Sequence, residues 1–176
     1  MKSTGVVRRI DELGRIVIPK EIRKNLRIHE GENLEIFIYN EDVILKKFSI
    51  VKKLGDFANN FTDAIYSFVK HNIIITDTDN VIAISGPLKK DYIKKSISEE
   101  MFRAIERREN VLQKYKKKLK VIKEEEVECS YAITSIFNNG DVVGLVIMVS
   151  LDEQIDETEL KVIQIAAQFL SKYIEE

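Results

Sequence analysis

The spacing of apolar residues changes repeatedly along this chain, and each change predicts a new element. Gly5–Ile10 (GVVRRI) and Arg15–Ile18 (RIVI) are short β-branched runs separated by DELG. They read as two strands joined by a tight turn, with Gly14 where positive φ is needed. Pro19 fits the first turn of a helix, because its missing N–H costs nothing there, and a short helix is expected over 20–26. HEGEN (29–33) is a loop. Leu34, Ile36 and Ile38 alternate with Glu35, Phe37 and Tyr39, which makes a strand with two distinct faces. NED (40–42) turns the chain and VILKKF (43–48) returns it. Four short strands and a two-turn helix in roughly 48 residues bury too little surface to stand alone. A second copy is expected to complete the core.

A different period follows. Val51, Leu54, Ala58, Phe61, Ile65 and Phe68 fall at steps of 3, 4, 3, 4 and 3, an a/d seam of about two and a half heptads. Phe57 and Ala64 widen the stripe. Two readings stand side by side: a helix pairing with its copy, and an amphipathic helix lying on its own sheet.

From residue 72 the pattern is α/β. NIIITD (72–77) and NVIAISG (80–86) read as two strands around a tight turn. Residues 89–109 read as helix. YAITSIF (131–137) and VVGLVIMVS (142–150) form a second strand pair around NNGD. A long final helix over 156–174 carries two apolar stripes: Leu160, Ile163, Ala167, Leu170 and Ile174, then Val162, Ala166, Phe169 and Tyr173. A helix apolar on so much of its surface is expected to lie between a sheet and a partner helix.

Composition adds little: 44% hydrophobic and 32% charged residues describe an ordinary folded chain. The single cysteine, Cys129, excludes an internal disulfide and fits a reducing compartment. With no signal peptide and no apolar run of bilayer length, the cytoplasm is the expected location and no membrane partner is expected. Charge changes the picture more. Residues 1–27 hold 8 Lys and Arg against 3 acids, net +5, while the remaining 149 residues hold 20 bases against 26 acids, net −6. A basic head on an acidic body points to a head that meets a polyanion.

Within that head, Lys20, Arg23, Lys24 and Arg27 sit at i, i+3, i+4 and i+7, one face of a helix. Cations this near a helix N-terminus oppose its dipole at about 0.3–1 kcal/mol each. Phosphate contact is the simplest offset, and Arg8, Arg9 and Arg15 on the adjoining hairpin add to it. The alternative is a solvated basic face.

The string G-x-V-R-R-x-D-E-L-G-R-x-V-I-P-x-E-I-R, Gly5 to Arg23, with its continuation to about Ser49, closely resembles the AbrB-type transition-state regulators. With LGDFANNFTDAIYSFV and an α/β second half, the whole chain is similar to the sporulation branch of that family, whose second domain is of GAF type. The resemblance implies an α+β protein: a swapped-hairpin dimeric β-barrel head over 1–49, a linker or start of a connecting helix over 50–55, and a GAF-like sensor and oligomerisation domain with flanking helices over 56–176. It implies a DNA-binding regulator, activator or repressor, of sporulation genes, preferring AT-rich double-stranded promoters and located at the nucleoid and in the forespore. Arg8, Arg9, Arg15 and Arg23 match positions that face DNA, and Lys20, Lys24 and Arg27 extend that surface. Lysine at 24 replaces the family's frequent arginine, which keeps charge and loses the bidentate fork. Helices flanking the GAF-like domain are implied to pair into a tetramer through Leu54, Phe61, Ile65, Phe68, Leu160, Ile163 and Leu170.

Other features carry blander readings. Lys114, Lys116, Lys117, Lys118, Lys120 and Lys123, followed by Glu124–Glu126, read as a solvated loop or helix end. His29 and His71 lack ligand spacing, so no metal or cofactor is expected. Asp77, Asp79 and Asp91 read as turn formers. No P-loop or nucleophile elbow is present, and nothing argues for catalysis. The apolar runs 73–84 and 133–149 line an effector pocket or form plain core; Ser85, Tyr131, Thr134 and Ser135 are the polar groups available to a pocket. Rival functions are an antitoxin-like interaction module and a small-molecule-binding GAF protein.

Overall fold

The computed structural model describes residues 5–175, so the cation Lys2 lies outside the described residues. The chain divides into two compact units, Met1–Phe48 and Ser49–Glu176.

In the first unit, helix α1 spans Lys20–Asn25 with Pro19 before it at φ −56°, close to what the ring imposes. Strands β1 (Leu34–Tyr39) and β2 (Asp42–Lys47) form an antiparallel hairpin. Register pairs Ile36 with Leu45 and Ile38 with Val43, so these four apolar residues share one face, and all four are exposed or half-buried. The strands expected at 5–10 and 15–18 do not form among the described residues. The Asp11 amide donates to the Arg15 carbonyl at 3.0 Å, and no ladder continues from that rung. Val7, Ile10, Leu13 and Val17 stand open to solvent. A strand needs a neighbour for its N–H and C=O groups, and one copy of the chain offers these segments none. No residue of α1 is buried, and Leu26 just after it is exposed.

The second unit is a five-stranded antiparallel sheet in the order β4-β3-β7-β6-β5. The strands are β3 (Asn72–Thr76), β4 (Val81–Ser85), β5 (Asn110–Leu119), β6 (Val127–Asn138) and β7 (Asp141–Ser150). Alternation along the strands makes two cores. Ile74, Ile84, Ile133, Leu145 and Ile147 pack under helices α4 (Lys89–Tyr92) and α5 (Glu99–Glu106), which supply Tyr92, Met101 and Ile105. Ile73, Ile75, Ala132, Val146 and Met148 pack under α2 (Ile50–Lys53), α3 (Gly55–Val69) and α6 (Glu157–Glu175). Strand β7 is covered on both faces, which is why its sequence runs apolar without alternation. Gly144 is required there: a Cβ would lie 2.0 Å from the Thr76 carbonyl oxygen.

Several expectations change. The 51–68 seam is split into α2 and α3; Val51 and Ala58 are buried against the sheet, while Phe68 is 88% exposed. Ile163 and Leu170 are fully buried in the chain's own core, so they are corrected out of the oligomerisation set. Leu54, Phe61, Ile65 and Leu160 are half-buried beside that core. What α6 leaves open is Ile165, Phe169 and Tyr173. Phe57 stacks on Tyr173 at 4.5 Å and Phe61 on Phe169 at 5.4 Å, an aromatic seam between α3 and α6. The helix expected over 89–109 is two short ones. The segment between them spends its hydrogen bonds elsewhere: the Lys94 amide donates to the Val81 carbonyl, the Val81 amide to the Lys95 carbonyl, and the Ile97 amide to the Asp79 carbonyl. Ser98 then starts α5, its Oγ accepting from the Met101 amide.

The lysine run is neither loop nor helix end. It lies mostly on β5, an outer strand of the sheet, with Lys114 paired to Glu157 at 3.2 Å and Lys118 to Glu126 at 3.1 Å. Lysines on an edge strand discourage pairing with another sheet. No described helix is long and apolar enough to cross a membrane.

Candidate nucleic-acid interface

The basic residues of the first unit gather on two pieces of local structure. One is the turn from Asp11 to Arg15. Gly14 sits at φ 74° and donates its amide to the Asp11 carbonyl at 2.9 Å; the missing Cβ makes that φ inexpensive. Asp11 Oδ1 accepts from the Leu13 amide at 3.0 Å and the Arg15 amide at 2.8 Å, and Oδ2 accepts from Arg15 Nε at 2.7 Å. The Arg15 amide and then its guanidinium hold the Asp11 carboxyl below its ordinary range. Arg8 and Arg9, before the turn, are exposed and have no acidic partner among the described residues.

The other piece is α1. Lys20 and Lys24 are exposed, and Arg23 and Arg27 are half-buried. The Arg23 Nε is shielded from solvent without a hydrogen-bond partner. After α1, the chain is pinned by Lys47, whose Nζ donates to the Arg27 carbonyl at 3.0 Å and lies 3.3 Å from Glu32. The sequence pattern names these cations as candidates and does not name Asp11, whose signal is an acid four residues before an arginine across a glycine turn.

In the second unit the hydroxyls proposed for a pocket do not converge. The Ser85 hydroxyl donates to Thr62 Oγ1 at 2.9 Å and also contacts the Asp63 carboxylate, on the α3 side of the sheet. The Thr134 hydroxyl donates to Asn110 Oδ1 at 3.1 Å and that of Ser135 to the Glu109 carbonyl at 3.2 Å. Tyr131 belongs to the core under α4 and α5. That core also holds Tyr92, fully buried with an unpartnered hydroxyl, and burial pushes its phenol above the ordinary range. Burial likewise pushes the Cys129 thiol up to about 11, the opposite of what a reactive thiolate needs. No group of His, Cys, Asp and Glu among the described residues has the arrangement of a metal site.

Comparison with known proteins agrees with this division. A family model described as "Stage V sporulation protein T C-terminal, transcription factor" matches residues 53–175, and one described as "Antidote-toxin recognition MazE, bacterial antitoxin" matches residues 7–53. The sequence is 46% identical to stage V sporulation protein T of Bacillus subtilis (strain 168), with all of both chains covered. Over 48 residues, 27% of this chain and 50% of the relative, it is 58% identical to the transition state regulatory protein AbrB of the same organism. A GAF domain from an Acinetobacter phosphoenolpyruvate-protein phosphotransferase superposes with a TM-score of 0.52 at 16% identity, covering 73% of this chain and 84% of that one; this likeness establishes a GAF-like fold. On the full-length identity and the family match over most of its residues, the chain belongs to the stage V sporulation protein T family of transcription factors.

Proposed function

We propose that residues 1–49 bind AT-rich double-stranded promoter DNA and that the chain thereby activates or represses sporulation genes. The observation that carries the reading is the gathering of exposed or half-buried cations before and at the 11–15 turn, on α1 and just after it. Arg8, Arg9, Arg15, Lys20, Arg23, Lys24 and Arg27 form the DNA-contacting set, with lysines serving phosphates and arginines serving phosphates or base edges. The open apolar face of Ile36, Ile38, Val43 and Leu45 supports a head completed by a second copy. Residues 50–55, which form α2 and the start of α3, join the head to the body. Residues 56–176 act as a regulatory body that links dimers into tetramers through the α3 and α6 surface, where Phe68, Ile165, Phe169 and Tyr173 stay open. The protein works in the cytoplasm, at the nucleoid, and is not an enzyme.

The test is fluorescence anisotropy on AT-rich duplex across a salt series, with wild type and an Arg8/Arg15/Arg23 triple alanine. Wild-type binding is expected to fall steeply with salt, as counterion release requires. The triple variant is expected to bind weakly with a flattened slope. Equal affinity of both proteins would sink the reading.

A second reading, an antitoxin-like interaction module, is favoured by the MazE-type match over residues 7–53. It predicts stoichiometric copurification of a small protein partner from native cells and indifference to duplex DNA.

A further inference from the structure

We propose that Asp11 is a positioning residue for Arg15: it holds one edge of the guanidinium so that the free fork meets the DNA groove in a fixed orientation. The proposal rests on the DNA-binding reading above and names a determinant of its selectivity.

The geometry is unequal among the basic residues. Arg8 and Arg9 carry no acidic partner among the described residues, whereas Arg15 is held through Nε by Asp11 Oδ2 at 2.7 Å. Arg15 remains 71% exposed and Asp11 42%, so the pair is a surface feature and not core packing. The contact uses Nε, and the two terminal nitrogens of the fork take no part in it. Those nitrogens are the part of the guanidinium free to enter a narrow, AT-rich groove. The other carboxylate oxygen is fixed by the Leu13 and Arg15 amides, so the clamp cannot drift along the turn.

A carboxylate in this place weakens undirected binding. Asp11 cancels one positive charge on the very segment that would meet phosphate, and it repels a backbone that approaches in the wrong register. A residue that reduces gross attraction while ordering a guanidinium trades affinity for discrimination.

The test is Asp11→Asn, which keeps an oxygen to accept from the Leu13 and Arg15 amides and removes the charge beside Arg15. Affinity is measured for an AT-rich and a GC-rich duplex of equal length, across a salt series, with circular dichroism to verify the fold. The variant is expected to bind the GC-rich duplex more tightly, with a salt slope steeper by about one ion. Its preference for the AT-rich duplex should fall about tenfold, because an unheld guanidinium no longer meets the narrow groove in one orientation. In an Arg15→Ala background the same substitution should change the preference no further, because nothing remains to be held. Unchanged preference in D11N would overturn the proposal. So would an equal loss of binding to both duplexes that persists in the Arg15→Ala background, since that marks Asp11 as a turn former only. Wild type that binds neither duplex would overturn the DNA-binding reading and this proposal together, whereas discriminating wild type with an equally discriminating D11N overturns this proposal alone.

Discussion

The two units of the chain handle their apolar side chains in opposite ways. Among the described residues, every buried hydrophobic one lies at Val51 or beyond. Of the large hydrophobics among them left exposed, 13 lie between Val6 and Leu45, and Phe68, Tyr115, Ile165, Phe169 and Tyr173 lie in the second unit. The second unit therefore carries its own stability, with two cores on one sheet. The first unit has turns, a helix and a hairpin but no interior. Uncovered apolar surface on this scale marks an interaction site, and the sequence length gives the reason: so short a segment cannot enclose a core. The first unit thus leaves its apolar face open, while the second closes its own cores through strand pairings far apart in sequence.

The sharpest way to break this comparison is to put a charge on the open face of the first unit. Ile38 is 81% exposed in the chain, so Ile38→Asp ought to be nearly silent, within about 0.5 kcal/mol, if the unit is complete as it stands. If a second copy covers that face, the buried aspartate is expected to cost several kcal/mol, roughly 3–5. Analytical ultracentrifugation should then show loss of head-to-head assembly, and DNA binding should vanish. Thermal melting of the wild-type head should also rise with protein concentration. Ile147→Ala is the control in the second unit. It deletes fully buried atoms facing α4 and α5 and should cost about 2–5 kcal/mol, independent of concentration.

Legibility in the sequence follows the same division. The alternation of Leu34, Ile36 and Ile38 gave β1 because one face of the hairpin is apolar, and the unbroken run of β7 gave a strand buried on both faces. Strand β5 stayed hidden: YKKK at its centre carries neither period, because an edge strand answers to solvent and not to a core. The segments at 5–10 and 15–18 have β-branched residues but no partner strand within the chain, so propensity alone did not make structure. Among the candidate site residues, the cations were readable from spacing. Asp11 was not, since its role depends on a turn that brings its carboxylate to Nε. Ile163 and Leu170 were misplaced because both apolar stripes of α6 looked alike, and only the packing says which one meets the sheet.

Alkaline titration probes the second unit at the level of about 2 kcal/mol. Burial raises Cys129 from an ordinary 9.0 to about 11 and also raises Tyr92 and Tyr131. The folded form resists ionisation that the unfolded form accepts. Stability is therefore complete below pH 9 and drains away as pH climbs towards 11, by on the order of 2 kcal/mol for the thiol. Denaturant melts at stepped pH should show this loss, and Cys129→Ala should remove the thiol's share. A melt that is flat from pH 9 to 11 would mean that the interior is wetter than the packing shows.

The smallest effect belongs to the first unit and has the opposite sign along the pH axis. The Asp11 carboxyl is lowered by the Arg15 amide and guanidinium, so the unfolded chain takes up its proton first as acid is added. Its contribution is present above the unfolded value of 3.8 and lost as pH falls through the lower folded value. Because the carboxylate is exposed, solvent and salt screen it, and the change is expected in the local order of the turn more than in global melting. Chemical-shift titration of the Leu13 and Arg15 amides should show both moving together below pH 3.8 in wild type and neither moving in Asp11→Asn. If the two amides titrate apart, the three bonds to Asp11 do not form one unit, and the first unit is looser at its turn than its hydrogen bonds imply.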